Sequence, residues 1–307
     1  MILNIFFIVI GIVLVLWGAD RLTDGAVAVA EKMKMPQIVI GLTIVAMGTS
    51  MPEFCVSLIS ALKGTSDLAV GNIVGSNIFN TLLIVGVSAL VAPMSIMKTT
   101  VRKDIPFALV ASTLLLIMCL DGDISRIDAA ILFVMFLIFM YITLRGAKAQ
   151  GTDLEEKEKK PMATWLSIVW ILVGLACLIG GSNLFVDGAT AVATKLGVSE
   201  AVIGLTIVAG GTSLPELATS VVSARKGNSG IAIGNVLGSN VFNILAILGL
   251  TGVISPMTLK GITMTDLSMM VISIILIWLF SFTKYKIERW EGAILTAVFV
   301  GYIYSLL

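Results

Sequence analysis

Two glutamates stand out in an otherwise apolar chain because each ends the same short phrase. Gly48-Thr-Ser-Met-Pro-Glu53 and Gly211-Thr-Ser-Leu-Pro-Glu216 are near copies, each deep inside a hydrophobic stretch. An ionisable side chain at membrane depth is expensive and is a functional residue by default. Pro52 cannot donate to the carbonyl of Gly48, nor Pro215 to that of Gly211, so the spacing predicts that both helices open at Gly-Thr-Ser. The opened turn would present the carbonyls of Ala46 and Ala209 beside the hydroxyls of Thr49, Ser50, Thr212 and Ser213. Irregular backbone at that depth has to be satisfied by protein or by something held there. A cation would satisfy it.

A second duplicated phrase adds to the same chemistry. In Gly71-Asn-Ile-Val-Gly-Ser-Asn-Ile-Phe-Asn80 and Gly234-Asn-Val-Leu-Gly-Ser-Asn-Val-Phe-Asn243, the i, i+4 spacing puts Ser76 with Asn80, and Ser239 with Asn243, on one helix face. Each helix can then offer a hydroxyl and an amide oxygen; Asn77 and Asn240 lie beside that face and either cap or brace it. The whole candidate set is oxygen, which suits hard cations; Ca²⁺ takes about 6–8 such ligands. Thiolate and imidazole metals have no ligands in this set. Two carboxylates match the charge of one Ca²⁺, of Na⁺ ions or of protons, so the three are natural competitors. No resident cofactor is expected.

The elements that position these groups follow from composition. Of 307 residues, 58% are hydrophobic and 13% charged, with a mean hydropathy of +1.06. A soluble domain carries roughly a quarter charged residues, so the chain reads as an integral membrane protein with the lipid bilayer as its solvent. The net charge of +1 excludes a strongly basic nucleic-acid binder. Histidine is absent, and with it histidine bases, relays and metal sites. Cys55, Cys119 and Cys177 are widely spaced in apolar stretches and read as small core residues. The N-terminal apolar run has neither a basic start nor a cleavage site and reads as a retained first span.

A membrane helix needs about 20 apolar residues. Such windows recur at 3–27, 37–61, 67–91, 104–120, 126–145, 163–190, 199–223, 230–254, 264–282 and 290–306. Fifteen Lys and Arg residues follow the odd-numbered windows, from Lys32 to Arg289, whereas only Lys63, Arg126, Lys195 and Lys260 follow the even ones. The positive-inside rule then places the odd-numbered loops in the cytoplasm and both termini outside. Residues 146–162 form the one long hydrophilic stretch and read as a solvated cytoplasmic linker between halves 1–145 and 163–307.

Those halves are copies. Val39 to Glu53 aligns with Val202 to Glu216, differing at two of fifteen positions at an offset of 163; the Asn80 and Asn243 phrases, Asp24 with Asp187, and Pro93 with Pro256 keep that offset. Five spans per half is an odd number, so the second copy enters the membrane upside down. The expected fold is an all-α polytopic protein of ten transmembrane helices in two inverted five-helix repeats. Inverted repeats with broken helices mark secondary transporters, with the substrate site at the midplane.

The remaining polar features read as ordinary. Gly41, Gly48, Gly71, Gly75, Gly204, Gly211, Gly234 and Gly238 suit close helix packing. Asp20, Asp24 and Asp187 read as interfacial, and Asp121, Asp123 and Asp128 as a solvated turn rather than a calcium loop, which would need more length and a terminal Glu.

On the two Gly-Thr-Ser-x-Pro-Glu and two Gly-Ser-Asn-x-Phe-Asn phrases, the chain resembles the cation/calcium antiporter superfamily, most closely the prokaryotic sodium/calcium exchangers, over essentially its whole length. The resemblance implies exchange of several Na⁺ for one Ca²⁺ across a prokaryotic inner membrane, with the first and sixth helices sliding over a bundle that holds the ions. It implies that Glu53 and Glu216 are central ligands for both ions, joined by Thr49, Thr212 and the Ala46 and Ala209 carbonyls. Ser50, Ser76, Ser213 and Ser239 would serve flanking Na⁺ sites, and Asn80 and Asn243 would line the middle. Some members carry Asp at the position of Asn243; Asn there argues against K⁺ dependence. A Ca²⁺/H⁺ antiporter using the same glutamates is the nearest alternative. A cation channel is more remote, since channels usually build carboxylate rings by oligomeric symmetry. An enzyme is not expected, for want of a nucleophile–base pair or a phosphate loop.

Overall fold

With no water to satisfy them, backbone amides in an apolar run must bond within their own segment, and the described residues are accordingly helical almost throughout. The computed structural model describes residues 2–149, 162–197 and 209–306. Its helices are α1 (Ile2–Met33), α2 (Gln37–Thr49), α3 (Met51–Leu62), α4 (Ser66–Val91), α5 (Thr100–Asp121), α6 (Arg126–Ala149), α7 (Thr164–Lys195), α8 (Ala209–Thr212), α9 (Leu214–Arg225), α10 (Ser229–Ile254), α11 (Met264–Ser281) and α12 (Arg289–Leu306). Among the described residues, seven helices are long and apolar enough to cross a membrane, and the bent pair α2–α3 makes eight. The linker at 150–161 and the start of the window at 199–208, with Gly204, lie outside the described residues.

Helices α1 and α7 pack along their length, and glycine makes this possible. Gly11, Gly18 and Gly25 recur every seven residues, as do Gly174, Gly181 and Gly188 at the 163 offset. A Cβ at Gly11 would stand 2.6 Å from the Gly181 carbonyl, at Gly18 2.8 Å from that of Gly174, at Gly25 2.7 Å from that of Ser167, and at Gly188 2.7 Å from that of Asn4. Rising numbers on one helix meet falling numbers on the other, so the pair is antiparallel. The opposite face of α1 exposes Ile2, Phe6, Val9, Val13 and Leu16, as a lipid-facing surface would.

The interior is built on α4 and α10; α10 is buried along its whole apolar window. It crosses α2 at a second glycine contact, where the Cα atoms of Gly41 and Gly234 face each other and Gly238 lies against Leu42 and Ala46. Both central helices widen into π-helical turns at Phe79–Ile84 and Phe242–Leu248, a distortion common at functional sites. The wide turns begin next to Asn80 and Asn243.

Two departures from the sequence reading concern the periphery. The fold is not wholly helical: β1 (Met94–Ser95) pairs antiparallel with β4 (Lys286–Ile287), and β2 (Asp123–Ile124) with β3 (Met257–Thr258). These ribbons are related by the 163 offset and tie loops of one half to loops of the other. Only Cys119 of the three cysteines is buried; Cys177 is half-buried and Cys55 exposed. Cys55 stands on the face of α3 turned to a cavity, which local hydrophobicity does not reveal.

Candidate cation site

Both glutamates begin helices. Ser50 (φ −84°, ψ 11°) breaks α2 from α3 with a 49° bend, and Ser213 (φ −91°, ψ 7°) precedes α9 in the same way. Pro52 and Pro215 take the first-turn position that tolerates a missing N–H, and Glu53 and Glu216 fall in those first turns. There the positive end of the helix dipole favours a carboxylate, which matters because the two residues are at most 1% exposed.

The opening at Pro52 is narrower than the sequence predicts. The Ala46 carbonyl accepts from the Ser50 N–H at 3.0 Å and from the Thr49 hydroxyl at 3.3 Å, so in this conformation it is engaged rather than exposed. The turn is broken at one residue, because Ser50 still reaches back four positions to close a helical bond. The carbonyl that Pro215 leaves free, on Gly211, accepts instead from the Ser182 hydroxyl. Ser182 has Ala19 as its counterpart in the first half, so α7 supports the broken helix in a way α1 cannot. Ser182→Ala should lower stability by about 1 kcal/mol or somewhat more, the cost of a buried carbonyl left unbonded; detergent melting curves measure it, with Ala19→Ser expected to bring no comparable gain.

The two halves serve each other's carboxylates. Ser50 donates to Glu216 Oε1 at 2.8 Å, and Ser213 donates to Glu53 Oε1 at 3.0 Å and to Ser76 Oγ at 3.3 Å. Thr49 and Ser239 lie within electrostatic reach of Glu216, and Thr212 within reach of Glu53; the two carboxylates feel one another's charge. The other oxygen of each remains buried without a hydrogen-bond partner: Glu53 Oε2 and Glu216 Oε2.

Asparagines order the middle. Asn80 donates to Asn240 Oδ1 at 3.2 Å, Asn243 to Asn77 Oδ1 at 3.0 Å, Asn77 to the Asn240 carbonyl at 3.3 Å and Asn240 to Thr81 at 2.7 Å. Their nitrogens are thereby spent between α4 and α10, and the Oδ1 atoms of Asn80 and Asn243 are left buried and unpaired, as is Ser239 Oγ. Asn77 and Asn240 brace the face. A buried acceptor without a donor is costly, and four of them, two carboxylate and two amide oxygens, fit a hard cation. Among the described residues no group of three or more His, Cys, Asp and Glu is placed to hold a metal ion; the carboxylates at this centre are those of Glu53 and Glu216.

Sequence reading missed a supporting pair. Asn72 donates to the Glu53 carbonyl (3.3 Å) and to Ser57 (3.0 Å); Asn235 donates to the Glu216 carbonyl (3.2 Å) and to Ser220 (3.0 Å), while Thr49 donates to Asn235 (3.1 Å). Their duplication at the 163 offset is the signal the sequence holds for them. Of the predicted residues, Glu53, Glu216, Thr49, Ser50, Ser213, Ser76, Ser239, Asn80 and Asn243 are buried around this centre. Ala46 lies one turn away against Gly238; Ala209 opens α8 beside the undescribed segment.

Two cavities reach the centre from the same end. One of about 360 Å³ lies between α3 and α7, lined by Pro52, Cys55, Val56, Asn183, Asp187 and Thr212. The other, about 500 Å³, runs between α4, α11 and α12 past Asp266 and Tyr302 to Asn72 and Ser76.

Comparison with known proteins finds relatives over the whole chain. The family described as sodium/calcium exchanger protein matches residues 3–145 and 166–307. Inner membrane protein YrbG of Escherichia coli (strain K12) is 37% identical over all of this chain and 97% of the relative. Sodium/calcium exchanger MaX1 of Methanosarcina acetivorans is 32% identical over 99% of this chain and 98% of the relative. The solved structure of the sodium-calcium exchanger NCX_Mj soaked with Na⁺ and Ca²⁺ superposes with a TM-score of 0.88 at 31% identity, covering 100% of this chain and 99% of that one.

Proposed function

Since this chain belongs to the sodium/calcium exchanger family, we propose that it exchanges Na⁺ for Ca²⁺ by alternating access at the centre around Glu53 and Glu216. The observation that carries this reading is the crossed pair of carboxylates, each bonded through one oxygen to a serine of the other half and holding its second oxygen unpaired. One Ca²⁺ neutralises two carboxylates. Several Na⁺ ions could do so by spreading over flanking oxygens. Both loads cannot be held together in a medium of low dielectric, so each ion expels the other, and competition at one place becomes exchange.

In this reading Glu53 and Glu216 are shared ligands, with Thr49, Thr212 and the carbonyls of Ala46 and Ala209 completing the Ca²⁺ shell. Ser50, Ser76, Ser213 and Ser239 hold flanking Na⁺, and Asn80 and Asn243 offer their amide oxygens to the middle. The chain forms ten spans in two inverted repeats, 1–145 and 163–307, joined by the cytoplasmic linker 146–162, with both termini outside a prokaryotic inner membrane. Antiparallel packing of the equivalent helices α1 and α7 and the repeated ribbons support the inversion. On this topology both cavities that reach the centre open outward.

More than two Na⁺ against one Ca²⁺ moves net charge, worth about 2.3 kcal/mol per charge per 100 mV. The test is ⁴⁵Ca²⁺ uptake into proteoliposomes loaded with Na⁺ and diluted into Na⁺-free buffer, with pH clamped and potential set by valinomycin and K⁺. Uptake that needs the Na⁺ gradient and responds to voltage is expected. Uptake that ignores Na⁺ and follows an imposed pH gradient would overturn the reading in favour of Ca²⁺/H⁺ exchange.

A further inference from the structure

The two halves are copies, yet they are packed differently, and the difference identifies a latch. On the cytoplasmic side α1 lies tight on α9. Thr23 Oγ1 is 3.0 Å from Ser223 Oγ, and Lys226 Nζ is 2.6 Å from Asp20 Oδ1 and 2.7 Å from Asp24 Oδ1. Arg21 pairs with Asp20 and stands 3.5 Å from Asp24. The 163 offset maps Lys226 onto Lys63, Asp24 onto Asp187, and Asp20 onto Asn183. On the outer side those counterparts are apart: among the described residues Lys63 forms no ion pair with Asp187, and Asn183 and Asp187 line the cavity that separates α7 from α3.

We propose that Lys226 with Asp20 and Asp24, and Lys63 with Asp187, are reciprocal latches that close the cytoplasmic and outer sides in turn. The proposal rests on the alternating-access reading above. A chain of two like halves has two mirrored arrangements of nearly equal energy, and the contacts one half makes now are those the other half makes in the opposite state. When the α1–α7 pair moves so that α7 seats on α3, Asp187 is carried to Lys63 and Asp24 is drawn from Lys226. The latches are unequal, because Asn183 replaces one carboxylate of the inner set; the inner latch is stronger, which biases the resting protein toward the arrangement of this structure, outward-facing on the proposed topology.

The test uses thiol accessibility. Cys55 lines the outer cavity; its counterpart at the offset, Ala218, is buried at 7% exposure. With Cys119 and Cys177 replaced by Ala, Cys55 is labelled by an impermeant reagent from outside; in a second background Cys55→Ala, Ala218→Cys is labelled from the cytoplasmic face in inverted vesicles. Lys226→Met should raise Ala218→Cys labelling and lower Cys55 labelling by about threefold each, the weight of a partly exposed ion pair. Lys63→Met should shift both the opposite way by less, and Asp24→Lys with Lys226→Asp should return labelling toward the parent. Should Lys226→Met fail to fold, the exchanged pair and Lys63→Met decide alone. Labelling that alternates between the two cysteines with Na⁺ and Ca²⁺ but ignores these substitutions overturns the latch and leaves the transport reading standing. Cysteines that never alternate under any ion condition overturn alternating access, and the latch with it.

Discussion

Glu53→Gln, and separately Glu216→Gln, should reduce Na⁺-driven Ca²⁺ uptake by at least about a hundredfold. Glutamine keeps the shape and one acceptor oxygen, so Ser213 can still donate at position 53 and Ser50 at position 216. What is lost is one of the two negative charges at a centre where no other acidic group lies within the first turns of α3 and α9. Ca²⁺ would then sit at membrane depth with a net positive charge, a penalty of several kcal/mol by the usual cost of unpaired buried charge, and about 1.4 kcal/mol is a factor of ten in binding. The melting temperature separates this effect from misfolding. Two facing carboxylates repel when no cation lies between them, so either glutamine variant, freed of ions, should melt above the ion-free parent, and Ca²⁺ should no longer raise the melting temperature of the variant. A variant with parental flux, or an inactive one that melts lower with and without Ca²⁺, would count against the site.

Gly238→Ala should damage transport severely. Its Cβ would stand 2.6 Å from both the Cα and the carbonyl of Leu42 and 2.7 Å from the Ala46 Cβ. Backbone cannot swing aside as a flexible side chain can, so α2 and α10 must separate. Overpacking of this kind costs about 1–3 kcal/mol, and it falls between Ser239 on one helix and the Ala46 to Ser50 turn on the other. Because a misplacement of about 1 Å can cost two orders of magnitude at a functional centre, Ca²⁺ uptake should fall far more than stability does. Gly64→Ala, at a positive-φ turn with open space around it, serves as a control: it strains only the local turn and should leave uptake within about twofold. Uptake and detergent melting measured together on both variants check the comparison.

What the residues announced on their own was local or repeated. Apolar runs must be helical in lipid because no water is present to bond their amides, so the helix positions were legible. The helix breaks at Ser50 and Ser213 follow from Pro52 and Pro215, since the missing N–H is a property of the residue. The duplication at an offset of 163 singles out Glu53 and Glu216, and it also holds Asn72 and Asn235, whose bracing role stays hidden because an asparagine in a membrane helix reads as packing glue until its partner is known.

Tertiary structure decided who meets whom. Nothing in either Gly-Thr-Ser phrase says that Ser50 bonds to Glu216 rather than to Glu53; the crossing arises because two half-helices meet head on between α4 and α10. Nor could the sequence tell that the Ala46 carbonyl stays bonded within its turn, that Ser182 relieves Gly211, or that Cys55 faces a cavity. Two stretches with nearly the same letters can sit in different surroundings, as Lys226 and Lys63 do, because hydrophobic periodicity determines only which side of a helix avoids polarity. The relative placement of helices comes from glycine contacts and buried polar pairs spread over the whole chain.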